Sequence, residues 1–139
     1  MNDFYEARNS IYCYPGSSVL VNKFNIKNYN KLMEIETDIV VYKSFELRQE
    51  GITGNFDIQH LVGIHKYLFC ELYPFAGLFR TENIAKDNFR FAEWEFIEDE
   101  LRKLLEQLKS EKYLERTRKK QTSTKVSILF SRTKCFTSF

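Results

Sequence analysis

Residues 56–92 read FDIQHLVGIHKYLFCELYPFAGLFRTENIAKDNFRFA, and the folding of this stretch decides that of its neighbours. Ile58, Leu61, Val62, Ile64, Leu68, Phe69 and Leu72 recur at steps of three and four, the apolar stripe of a helix that meets core on more than one side. Asn55 and Asp57 are available as caps before it. Pro74 and Gly77 stop it, because proline breaks the hydrogen-bond ladder and glycine accepts the turn that follows. Beyond the stop, Phe79–Ile84 and Phe89–Ala92 read as two short extended arms around Ala85-Lys86-Asp87-Asn88. Asp and Asn tolerate a tight reversal, so a hairpin is expected there.

Outward from this centre, a helix is predicted from about Asn30 to Gln49, with Leu32, Ile35, Ile39, Tyr42 and Phe45 or Leu47 along one broad face and Gly51 at its end. Ile97, Leu101, Leu104, Leu105 and Leu108 predict a second amphipathic helix over about Glu93–Lys112. Its acids lie near the start and Lys109 and Lys112 near the end, which suits the helix dipole. Residues 1–27 show little periodicity, and Pro15-Gly16 marks a turn. From Glu115 onward neither period is present.

The chain has 139 residues, 43% of them hydrophobic, enough for one domain with a core. No apolar run is long enough to span a bilayer, and the start lacks the basic-then-apolar order of a secretory signal, so a cytoplasmic protein with no membrane contact is expected. Cys13, Cys70 and Cys135 are odd in number and widely spaced, which reads as free thiols in a reducing compartment. The net charge of +2 hides an asymmetry: residues 115–139 hold Arg116, Arg118, Lys119, Lys120, Lys125, Arg132 and Lys134 against Glu115 alone. Such a tail could touch nucleic acid, and a solvated, disordered end is the plainer reading. His60 and His65 are five apart, so they do not share a helical face as a metal pair would, and no metal ligands are assigned. His65 reads as a packed, hydrogen-bonded residue, Glu34, Glu36 and Asp38 as a solvated helix face, and Trp94 as core.

Several blocks carry a family resemblance in the right order. They are Tyr12-Cys13-Tyr14-Pro15-Gly16 with Val19, Leu20 and Asn22; Ile64–Phe69; Tyr73-Pro74-Phe75-Ala76-Gly77; Phe79–Ile84; and Phe91-Ala92. Together they resemble the Fic (Fido) domain family of protein adenylyltransferases, from the start of the chain to about Leu114. The resemblance implies a mainly α fold, a Fic-type helical bundle with one β-hairpin, the "flap", which docks a segment of the target protein by strand pairing. It implies contact with nucleotide or target at Lys86, Asp87 and Asn88, for which an ordinary polar turn is the alternative, and a flap stem fixed by Arg80 and Thr81. The activity implied is transfer of AMP from ATP to a target hydroxyl, with ATP and Mg²⁺ required. A self-inhibiting Ser/Thr-x-x-x-Glu-Gly/Asn motif is not present: Glu50-Gly51 follows Glu46, and Glu82-Asn83 follows Leu78.

The family's catalytic loop, His-Pro-Phe-x-Asp/Glu-Gly-Asn-Gly-Arg, is missing from these residues. The resemblance assigns its histidine the proton of the attacking hydroxyl, its acid the Mg²⁺, and its glycine-rich backbone and arginine the phosphates. No catalytic residue is therefore assigned, ATP and Mg²⁺ are not expected to bind this chain well, and the C-terminal catalytic helices of the bundle are expected to be lacking. One permitted codon series for Lys125–Phe139, read one nucleotide on, gives Arg-Leu-Ala-Phe-Tyr-Leu-Ala-Glu-Leu-Asn-Ala-Leu-His-Pro, the family's helix arriving at its histidine and proline. The expected organisation is thus a Fic-type part over 1–114 and an out-of-frame basic tail over 115–139, with nucleic-acid binding set aside. Loss of the missing helix would expose Leu101, Leu104 and the stripe at 58–72. A non-enzymatic module that captures a partner strand on the hairpin is the alternative.

Overall fold

A computed structural model describes residues 10–83, 85–86, 89–90 and 92–112, the strand residues 85, 86, 89 and 90 by backbone alone. Asp87, Asn88 and the whole tail expected over 115–139 lie outside the described residues. The fold is mainly α: α1 spans Tyr29–Glu50, α2 Ile58–Phe69 and α3 Ile97–Ser110, with a two-residue antiparallel ladder between α2 and α3.

α1 and α2 each begin where a side chain can accept a free N–H group, whereas α3 opens without a side-chain cap. Asn28 Oδ1 accepts from Lys31 N at 3.0 Å to open α1, and Asp57 Oδ1 accepts from His60 N at 2.8 Å to open α2. α2 ends at Phe69, one turn before the Leu72 expected from periodicity. Proline disfavours helical backbone in the residue before it, and here Pro74 follows a tightened turn in which the Phe69 carbonyl accepts from both Leu72 N and Tyr73 N. α3 starts at Ile97 rather than Glu93, because a 3-10 turn at Trp94–Phe96 comes first. Trp94 caps no core there; it is 41% exposed, against expectation.

α2 lies between two apolar clusters. On one side Phe69, with Leu72, Tyr73 and Phe75 beyond it, packs on Leu32 of α1 and on Cys13, Val19 and Leu20 of the amino-terminal loop. On the other, Ile58, Leu61 and Val62 meet Ile97 and Leu101 of α3, together with Phe79. Each fully buried aliphatic side chain of this kind stabilises the fold by about 1.5–3 kcal/mol. Leu101 is fully buried, which corrects the expectation that it would be bare; the neighbouring α2 stripe closes over it. On α1 the apolar face turns out narrower than its sequence suggests. Ile35, Ile39 and Val40 pack on the core, whereas Tyr42 and Phe45 are exposed with Val41. Lys43 and Glu46 occupy the facing positions instead, where Lys43 pairs with Glu71 at 2.8 Å and Glu46 accepts from Tyr67 Oη at 2.7 Å. No described helix is long and apolar enough to cross a membrane.

Gly77 fixes the turn between α2 and the hairpin. Its φ is 75°, and a Cβ there would lie 2.8 Å from Lys66 Cβ on α2. A left-handed backbone costs a side-chain-bearing residue about 1–3 kcal/mol. Gly77→Ala is therefore expected to lower the urea midpoint by that much stability at unchanged m value; an unchanged midpoint would show the turn to be free to relax.

Candidate functional site

The hairpin and its base are the region to which the sequence assigns contacts. Ala85–Lys86 pairs antiparallel with Phe89–Arg90, Ala85 opposite Arg90 and Lys86 opposite Phe89. The reversal thus falls between Lys86 and Phe89, and residues 79–83 form no strand. This moves the ladder outward from the arm expected at Phe79–Ile84. The shift has a visible cause: the backbone of 80–83 is held by side chains.

Arg80 is buried to 1% exposure. Its Nη1 donates to the Glu82 carbonyl at 2.6 Å and its Nη2 to the Ala92 carbonyl, so one planar guanidinium ties the ascending and descending sides of the hairpin together. Thr81 N donates to Tyr12 Oη at 2.8 Å, and the two hydroxyls of Thr81 and Tyr12 lie 3.0 Å apart. Glu82 accepts from Ser10 Oγ at 2.6 Å and from Ile11 N at 3.0 Å. Asn83 Oδ1 accepts from Trp94 N at 2.9 Å. Of the residues assigned from sequence, Arg80 and Thr81 meet at this base, and Lys86 is placed by its backbone in the strand Ala85–Lys86. Ser10, Tyr12, Glu82 and Asn83 were not singled out from sequence. Tyr12, Glu82 and Asn83 sit in the quoted blocks, but nothing local signals the contacts of Ser10 and Tyr12 with Glu82 and Thr81 across some seventy residues.

The two histidines have other partners. His65 is fully buried, and its Nδ1 accepts from Gly77 N at 2.9 Å, while its ring lies 4.7 Å from that of Phe69. Burial lowers its pKa to about 4. His60 Nδ1 accepts from Phe56 N at 3.2 Å, and its Nε2 is buried with no hydrogen-bond partner among the described residues. Glu36 is not part of a solvated face as its neighbours suggest. It accepts a hydrogen bond from Tyr73 Oη, and burial raises its carboxyl pKa although that hydroxyl pulls the other way. Among the described residues no three His, Cys, Asp or Glu side chains come together in a way that could hold a metal ion. An open cavity of about 510 Å³ lies between the first turn of α2 and the outer face of α3, edged by Asp57, Gln59, Arg102, Glu106 and Lys109.

A helical domain whose second helix ends in a Tyr-Pro-Phe-Ala-Gly turn and a clamped hairpin defines the class. The Fic/DOC family pattern matches residues 55–136, and the chain belongs to that family. The matched span runs on past Leu114, the limit to which the sequence resemblance extends. The chain is 37% identical over 110 residues to protein adenylyltransferase VbhT of Bartonella schoenbuchensis, covering 79% of this chain and 23% of that protein. It is 32% identical over 121 residues to a probable protein adenylyltransferase, y4lH, of Sinorhizobium fredii, covering 87% of this chain and 62% of the relative. It thus spans less than two thirds of either relative. In structure it is similar to the BepC effector of Bartonella tribocorum with bound AMPPNP, at a TM-score of 0.72 and 27% identity, covering 86% of this chain and 64% of that one.

Proposed function

We propose that this chain is the hairpin-bearing part of a Fic adenylyltransferase and that its 139 residues do not transfer AMP by themselves. In the proposed reaction of the family a target hydroxyl oxygen forms a bond to the α-phosphorus of ATP, the bond to the β-phosphate bridge breaks, pyrophosphate leaves, and the hydroxyl proton passes to a histidine. The observation that carries the second half of the proposal is the state of both histidines. His65 is sealed in the core with its acceptor nitrogen used by Gly77, and His60 has one nitrogen on Phe56 N and the other buried. A general base must reach the proton that it takes, and neither does.

The names of the relatives and the nucleotide bound to BepC support the adenylyl-transfer reading for the intact protein. ATP and Mg²⁺ belong, in this reading, to residues beyond those described, and the target protein is the partner, with neither nucleic acid nor membrane required. Incubated with radiolabelled ATP, Mg²⁺ and a bacterial lysate, the 139-residue chain is expected to label nothing. The product of the same gene read one nucleotide on from before codon 125, through His-Pro-Phe, is expected to label a target. Labelling by the shorter chain would overturn the proposal, as would a gene whose second frame lacks His-Pro-Phe.

A second reading has one observation behind it. Among the described residues the ladder has two strands, each with an edge to which an extended segment could add. Capture of a partner that depends on residues 80–92 but not on ATP would favour this binding role.

A further inference from the structure

Among the described residues the hairpin pairs only two residues on each side, too few to hold its own direction. Its direction is set at the base, and half of that base comes from the far end of the chain. We propose that Ser10 and Tyr12 are positioning residues for the hairpin: a clamp from the amino-terminal loop that fixes the angle at which the ladder leaves the domain.

The clamp is a closed set of bonds. Tyr12 stands edge-on to Phe75, ring centres 5.2 Å apart, so its body is anchored in the Tyr-Pro-Phe turn. Its hydroxyl accepts the Thr81 N–H and lies within hydrogen-bond distance of Thr81 Oγ1. Ser10 Oγ donates to one oxygen of Glu82 while accepting from Tyr12 N at 3.1 Å, and Ile11 N donates to the other oxygen of Glu82. Both carboxylate oxygens are thereby used, and two successive residues at the hairpin base are fixed in position and rotation. The loop that presents these groups is itself rigid. Tyr14 N donates to Val19 O at 2.9 Å and Val21 N to Tyr12 O at 2.8 Å, and the buried Asn22 closes the loop through Leu20 O, Ile26 O and Ile26 N.

These bonds lie at the surface: Thr81 is exposed and Glu82 half-buried. Exposed polar contacts contribute little to global stability, whereas local opening depends on them directly. The clamp therefore acts on hairpin geometry rather than on folding. Its consequence for docking rests on the function proposed above; the clamp itself does not.

The test is amide exchange on the whole chain, read residue by residue by NMR, in wild type, Tyr12→Phe, Ser10→Ala and the double variant. Tyr12→Phe keeps the ring on Phe75 and removes one oxygen. At about 1.4 kcal/mol per tenfold and roughly one net hydrogen bond, exchange at Thr81 and at the ladder amides is expected to rise about tenfold. Exchange in α1 and α2 and the thermal midpoint should stay at wild-type values. Thr81→Ser, which keeps the hydroxyl, should retain protection at residue 81 and the ladder, and Thr81→Val should lose part of it. Unchanged ladder exchange in the double variant would overturn the proposal, and so would a uniform rise throughout the domain, which would make Tyr12 and Ser10 ordinary structural residues. AMP transfer enters neither outcome, so a failed clamp and a failed adenylyl-transfer reading are told apart.

Discussion

Arg80→Met is expected to cost about 3 kcal/mol of stability, at roughly 1.5 kcal/mol or more for each charge-assisted hydrogen bond lost. Methionine fills much of the space of the arginine stem, so the loss reports the polar head rather than a cavity. Two carbonyls are left behind, those of Glu82 and Ala92, on the two sides of the hairpin base. Arg80→Lys restores a positive charge but not the fork: one ammonium cannot aim at two acceptors that the guanidinium meets with separate nitrogens. Lysine is therefore expected to recover less than half of the loss, measured as urea midpoints at constant m value. Arg80→Lys at wild-type stability would show that charge alone matters at this position. The loss should also appear locally as faster exchange of the Trp94 amide, whose acceptor Asn83 lies in the segment that Arg80 holds.

The helices were legible because each repeats one signal over several turns. Leu32 to Ile39 and Ile97 to Leu108 show the three-and-four spacing, and Asp57 is a capping residue by type, whereas the Asn28 cap of α1 was not read. Their ends were less legible, since a 3-10 turn at Trp94 or a tightened turn after Phe69 does not disturb the apolar pattern. Periodicity also overstated α1. Tyr42 and Phe45 keep the spacing, yet an ion pair and a tyrosine–glutamate bond occupy the face toward α2. The hairpin base was half legible. The blocks named Arg80 and Thr81, but the Ser10, Tyr12 and Glu82 contacts join positions whose proximity only the packed fold creates. Glu36 misled for a related reason: its neighbours Glu34 and Asp38 look solvated, and its own partner Tyr73 is thirty-seven residues away.

His65 makes a large pH-dependent contribution to the stability of this fold. It is fully buried, its Nδ1 accepts from Gly77 N, and burial holds its pKa near 4 against 6.5 in an open chain. Between those values the unfolded chain binds a proton that the native one does not, so native stability rises with pH. The contribution is complete above pH 6.5 and is lost as pH falls toward 4, by about 3 kcal/mol at 1.36 kcal/mol per pH unit. Glu36 acts in the opposite sense. Its raised pKa favours the native state on acidification, with that gain lost as pH rises through its folded value, so the wild-type profile alone mixes the two. His65→Asn separates them, because an asparagine oxygen can take the Gly77 N–H but does not titrate. The variant should be the less stable protein at pH 7.5, where it forfeits the packing against Phe69. On lowering pH from 6.5 to 4 the gap to wild type should narrow by about 3 kcal/mol, since Glu36 contributes equally to both curves and cancels in the difference. Parallel curves would mean that the native core accepts a protonated His65. The Gly77 N–H would then be left facing a second donor, and the turn leading to the hairpin would have to open at mildly acid pH.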